Sequence, residues 1–124
     1  MPVAAGVHEH RPAGQLRKLL DAADLADGVR RRAQAVFDAL ATAEGAVHGI
    51  EPDDVEFHEV GSLDAIVDVV GAAAALHSLG VERIVAAPIA MGHGTTGSAH
   101  GILPNPPPAV ARLGFGLRLE LQEA

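Results

Sequence analysis

The chain has 124 residues, 48% of them apolar, which suits one folded domain with one core and excludes disorder throughout. A formal charge of -7, with three Phe and neither Trp nor Tyr, excludes nucleic acid as a partner, because phosphates need clustered cations and bases need aromatic platforms. Cysteine is absent, so a metal here has only His nitrogen and carboxylate oxygen to hold it.

Residues 1–14 (MPVAAGVHEHRPAG) have no period and read as a flexible N-terminal arm, with 15–124 as a single domain. His8 and His10 in that arm are loose metal contacts at most. Leu16, Leu19 and Leu20 then recur at helical spacing. A second helix, capped by Asp24 or Asp27, runs to about Val47, with Val29, Ala33, Val36, Phe37, Leu40 and Ala41 as its apolar stripe. Arg30, Arg31 and Arg32 read as its solvated face, and Gly49 as its stop.

Residues 55–60 alternate as a short strand does, with Glu56 and His58 on one face. Ser62 is placed to cap a helix over 63–78, with Asp64 in the first turn, where negative charge is favoured, and Gly80 as the terminator. This is the most apolar stretch, but it is short for a membrane span and carries two Asp. No basic region followed by an apolar run marks a signal peptide, so the expected compartment is the cytoplasm. Residues 82–91 (ERIVAAPIAM) read as a buried strand, with Pro88 implying an edge or bulge. A glycine-rich loop over 92–101, a proline-rich extended piece, a helical turn or two over 108–113 and a strand over 117–121 complete the chain. Helices with a few short strands predict a small layered domain of α/β or α+β class.

His58, Glu59, Asp64 and Asp68 form the strongest chemical constellation. Four residues apart, Asp64 and Asp68 lie about 40° from each other around a helix axis, on one face. Like charges on an otherwise apolar helix repel unless a cation lies between them, and imidazole with carboxylates suits nickel, zinc, manganese or iron. Spacing alone leaves the other reading open: Asp64 complements the helix dipole and Asp68 faces water. His48, at a helix end, and His100, after the glycine loop, are second metal candidates. Gly92, Gly94 and Gly97 could cradle a phosphate of a bound nucleotide with backbone N–H groups, although the loop has neither a P-loop Lys nor dinucleotide spacing.

The runs Val47-His48-Gly49, Val55-Glu56-Phe57-His58-Glu59-Val60-Gly61-Ser62-Leu63-Asp64-Ala65-Ile66-Val67-Asp68 and Ala99-His100-Gly101-Ile102-Leu103-Pro104 resemble the LarC-type nickel insertion proteins. The likeness covers about 15–114. It implies insertion of nickel into a pyridinium bisthiocarboxylate mononucleotide, building the nickel-pincer cofactor of lactate racemase, with CTP hydrolysed and Mn or Mg assisting. It also implies a C-terminal CTP-binding half or domain as partner, and a nucleotide-like substrate. The family's acidic, glycine-containing opening is missing here, and His93 and Asn105 depart from its pattern. The chain is therefore expected to be a fragment, a split-gene half or a degenerate member. Two other classes compete: a non-catalytic assembly domain, whose Ala-rich helix at 72–75 packs in a homo-oligomer, and an unrelated metal-dependent hydrolase.

Overall fold

A computed structural model describes residues 10–58, 60–98 and 101–114, and the backbone of 119–121. Strand β1 (Arg11–Pro12) leads directly into α1 (Ala13–Ala22), followed by α2 (Asp27–His48) and a single 3-10 turn at Pro52–Asp54. Then come β2 (Glu56–Phe57), α3 (Leu63–Ser78), β3 (Ile89–Met91), β4 (Thr95–Ser98), β5 (Gly101–Pro104), α4 (Pro108–Leu113) and β6 (Leu119–Leu121). The class is α+β. β1 pairs antiparallel with β2, β4 antiparallel with β5, and β3 parallel with β6.

The long helix α2 is the hub, with α1, α3, α4 and the 3-10 turn packed around it. Most of its stripe is buried as expected, Val29, Ala33, Phe37 and Ala41 together with Leu16 and Leu20 of α1, Val55, Phe57, and Ile66 and Ala73 of α3, with Leu40 packed partly buried against them; Val36, expected in the stripe, is exposed. Each larger side chain in this set contributes roughly 1.5–3 kcal/mol by leaving water. Alanines at the contacts, including Ala33, Ala41 and Ala73, let the helix backbones approach closely where few aromatics are available to fill space.

The helix ends follow the sequence in part. Gly49 closes α2 in the left-handed region at φ 69°, and the Ser62 hydroxyl accepts from the Ala65 N–H at 3.3 Å to cap α3. Neither Asp24 nor Asp27 caps α2, however: Ala26 is the N-cap, with no side-chain cap bond. Asp27 is the first helical residue and pairs with Arg30 one turn on, at 3.0 Å. Nor is the Arg run a merely solvated face. Arg30 donates to the carbonyls of Leu20, Ala23 and Leu25, gathering the C-terminal end of α1, and Arg32 donates to the Val81 carbonyl at 2.8 Å. Buried carbonyls at a helix end need donors, and Arg supplies several at once.

Three further expectations change. The arm ends sooner than expected, because Arg11 and Pro12 pair with β2 and Ala13 is buried at the start of α1. The stretch expected as a buried strand over 82–91 becomes a strand only after Pro88, and Ile84 and Val85 stand about three-quarters exposed, at 70% and 77%. The expected glycine loop is mostly a hairpin: Gly97 pairs with Ile102 inside it, which leaves Gly92 and Gly94 as the loop proper.

Candidate functional site

The β1–β2 ladder aligns Arg11 with Phe57 and Pro12 with Glu56. His10 and His58, one step beyond each strand, therefore stand opposite each other. Their rings meet edge to face, with centroids 4.5 Å apart and an interplanar angle of 82°. The two Nδ1 atoms are 2.6 Å apart. Gly61 explains why the chain can turn here: a Cβ at that position would fall 2.6 Å from the Phe57 carbonyl oxygen, so only glycine lets the link to α3 lie against the ladder.

His58 also lines a cavity of about 600 Å³ between the end of α2, β2, the β4–β5 hairpin and α4. Its polar lining includes Glu44, His48, Asp54, Glu56 and Ser98, and its apolar wall includes Val110. His48 reaches it from the last turn of α2, where its Nε2 is 3.4 Å from the Glu44 carboxylate, four residues earlier on the same face. Imidazole and carboxylate sharing one cavity is a donor set that divalent first-row ions accept.

The expected residues are divided by this geometry. His48 and His58 share the cavity; Asp64 and Asp68 are exposed on α3 and are not among its lining residues. Asp64 sits in the first turn of α3, where it complements the helix dipole. Among the described residues, no three His, Asp or Glu side chains converge to hold one ion. Glu59 and His100 lie outside the described residues. Gly92 backs onto Asn105, whose amide would stand 2.7 Å from a Cβ there, and Gly94 adopts φ 89° and accepts from the Asn105 N–H at 2.8 Å. Sequence reasoning named His10 only as a loose contact in the arm and missed its place opposite His58. The alternation at 55–60 implied a partner strand, and Arg11–Pro12 beside a His was the only clue to its place.

The class of protein is set by comparison with known families. The family model for nickel insertion proteins matches residues 3–123, and the chain belongs to that family. Among similar curated proteins, the pyridinium-3,5-bisthiocarboxylic acid mononucleotide nickel insertion protein of Nocardioides sp. is 57% identical over 104 residues, covering 84% of this chain and 26% of its own length. Proteins of the same name from Staphylococcus saprophyticus (40% identical, 86% of this chain, 27% of theirs) and Akkermansia muciniphila (41%, 92% and 28%) are also similar. The chain thus spans about a quarter of the length of the curated relatives it matches. No solved structure matches it. No helix among the described residues is long and apolar enough to cross a membrane.

Proposed function

We propose that this chain carries the nickel-handling part of a metallochelatase that inserts nickel into a pyridinium bisthiocarboxylate mononucleotide, yielding the nickel-pincer cofactor of lactate racemase. The observation that carries this reading is the position of His58: within the family's HEVG block, it borders the cavity that His48 also lines. Nickel is cargo here. Neutral imidazole binds it firmly enough for capture, and the softer sulfurs of the substrate then draw it away. In this reading Glu59 and His100 complete the donor set, and Asp64 and Asp68 form an acidic approach that concentrates cations.

The Mn- or Mg-assisted CTP step calls for a cluster of oxygen ligands. In this reading the step belongs to a separate CTP-binding half, as the family resemblance implies, and Glu44, Asp54 and Glu56 give the cavity its acidic lining. The loop at Gly92 and Gly94, with the neighbouring Gly97, is kept for the substrate's phosphate. The cytoplasm is the compartment proposed.

A second reading, assembly, is favoured by one feature. Leu63, Val67 and Leu79 on the outer side of α3 are exposed, and a Cβ added to Gly71 between them would meet nothing within 4 Å. Such a face gives the CTP-binding half a surface to pack on. The catalytic reading is tested by calorimetry with nickel: the His58→Ala, Asp68→Ala double variant is expected to bind at least tenfold more weakly than the parent chain. Equal binding would remove the site assignment.

A further inference from the structure

We propose that β3 is a strand of an unfinished sheet, and that its outer edge takes a further apolar strand from the part of a nickel insertion protein lying outside the stretch this chain matches. The inference is independent of the nickel-handling reading, since no residue of β3 or β6 is among the described residues that line the cavity. The pairing carries it. β3 and β6 run parallel, with Ile89 opposite Leu119, Ala90 opposite Glu120 and Met91 opposite Leu121, and among the described residues their sheet has two strands. Slanted parallel bonds hold slightly less per residue than antiparallel ones, and parallel sheets occur almost only with both faces covered. Even a two-stranded hairpin is marginal in water without further strands or a helix packed on it. Here the helices gather around α2, whereas β3 packs mainly with β6. Ile89 and Ala90 are accordingly exposed, and Met91 is half-buried.

Residues 84–91 (IVAAPIAM) nevertheless carry no polar side chain, which is the composition of a strand covered on both faces. A run suited to burial and a fold that leaves it exposed are reconciled by a neighbour. Pro88 limits where that neighbour lies: it has no N–H to give, so the usable edge begins at Ile89. The same limit disfavours a second copy of this chain as the occupant. Two β3 edges pairing antiparallel about Ala90 would set Pro88 against Gly92, leaving Ile89–Met91 as the whole contact. A strand tethered in the same polypeptide holds with few bonds, because its effective concentration is high. The curated relatives have the chain to supply one, since the matched stretch is 26–28% of their length.

Amide hydrogen exchange tests this on two intact proteins, this chain and the full-length relative from Nocardioides sp. Strand amides alternate in direction, so in this chain at least one of Ile89, Ala90 and Met91 turns away from β6. That amide is expected to exchange within about tenfold of an unstructured peptide, and its counterpart in the relative about a hundredfold more slowly. Equal exchange in the two proteins would overturn the proposal. So would strong protection of all three amides in this chain, whether as a monomer or only at concentrations where it dimerises. A second measurement identifies the neighbour: p-benzoylphenylalanine is placed in the relative at the position aligned with Ile89, and the labelled protein is irradiated in a mixture with ¹⁵N-enriched copies. The expected crosslink joins a peptide of the same molecule outside the matched stretch. A crosslink within the matched stretch, or to a second copy, would remove the assigned occupant.

Discussion

At the scale of single residues, two glycines in one segment have opposite roles. Gly61 sits against the Phe57 carbonyl with no room for a methyl group, whereas Gly71 lies mid-helix with open space around it. Gly61→Ala must push the ladder away from the entry to α3 and is expected to cost about 1–3 kcal/mol, as overpacking typically does. Gly71→Ala improves helix propensity and is expected to gain up to about 1 kcal/mol. Urea denaturation of the two variants checks the pair, and opposite signs are required. The same contrast marks what the sequence could disclose. The HEVG glycine was visible as part of a motif, but its reason was not, because the carbonyl it faces is four residues back and reaches it only through the ladder.

At the scale of elements, α2 holds its neighbours with cations as well as with its apolar stripe. Arg17 of α1 bonds to Asp38 of α2 at 2.7 Å and to Asp53 at 2.8 Å. The Asp38 hydrogen bond is the main cause that raises the Arg17 pKa above its usual value. These pairs are exposed, so each is worth at most about 1 kcal/mol. Arg30 is different, because it serves three carbonyls at the end of α1 and in the link after it, and is itself partly buried. Arg30→Ala is expected to destabilise by about 1.5–3 kcal/mol, and Arg31→Ala, on the exposed side, by less than about 0.5 kcal/mol. Thermal denaturation distinguishes them. Periodicity found α2 to within a few residues because its buried stripe is long, and α3 was bracketed by Ser62 before its apolar run and Gly80 after it. It could not separate Arg30 from Arg31, since the carbonyls that Arg30 binds belong to the last turn of α1 and the link that follows it. It also misjudged 82–88, because β-branched residues announce a strand without saying whether a neighbour covers it.

At the scale of the molecule, the core is one-sided. α2 is wrapped by α1, α3 and α4, while the outer side of α3 and the stretch through Ile84 and Val85 present apolar side chains to solvent. The proposed docking of a CTP-binding half on this surface has a direct consequence. Amides in α3 and around Val85 are expected to exchange with deuterium at least tenfold more slowly once that half of a full-length relative is added, with α1 unaffected. Unchanged exchange across α3 would remove the docking surface. The candidate site was legible to a comparable degree. His48 and His58 were both named from sequence and share the cavity, whereas the partner of His58 was not foreseen, because strand pairing across 48 positions leaves no local trace.

The uncovered run around Ile84 and Val85 also bears on how the chain stays dispersed in a crowded cell. An apolar, β-branched segment with unpaired backbone invites edge-to-edge joining between copies, the first step toward fibrils. Here Arg83 stands on one side of it and Pro88 on the other, and Arg32 occupies the Val81 carbonyl just upstream. A charge resists stacking in register, and a ring nitrogen without hydrogen cannot extend a ladder. Pro88, which directly precedes the strand Ile89–Met91, thus disfavours extension of a ladder along this run.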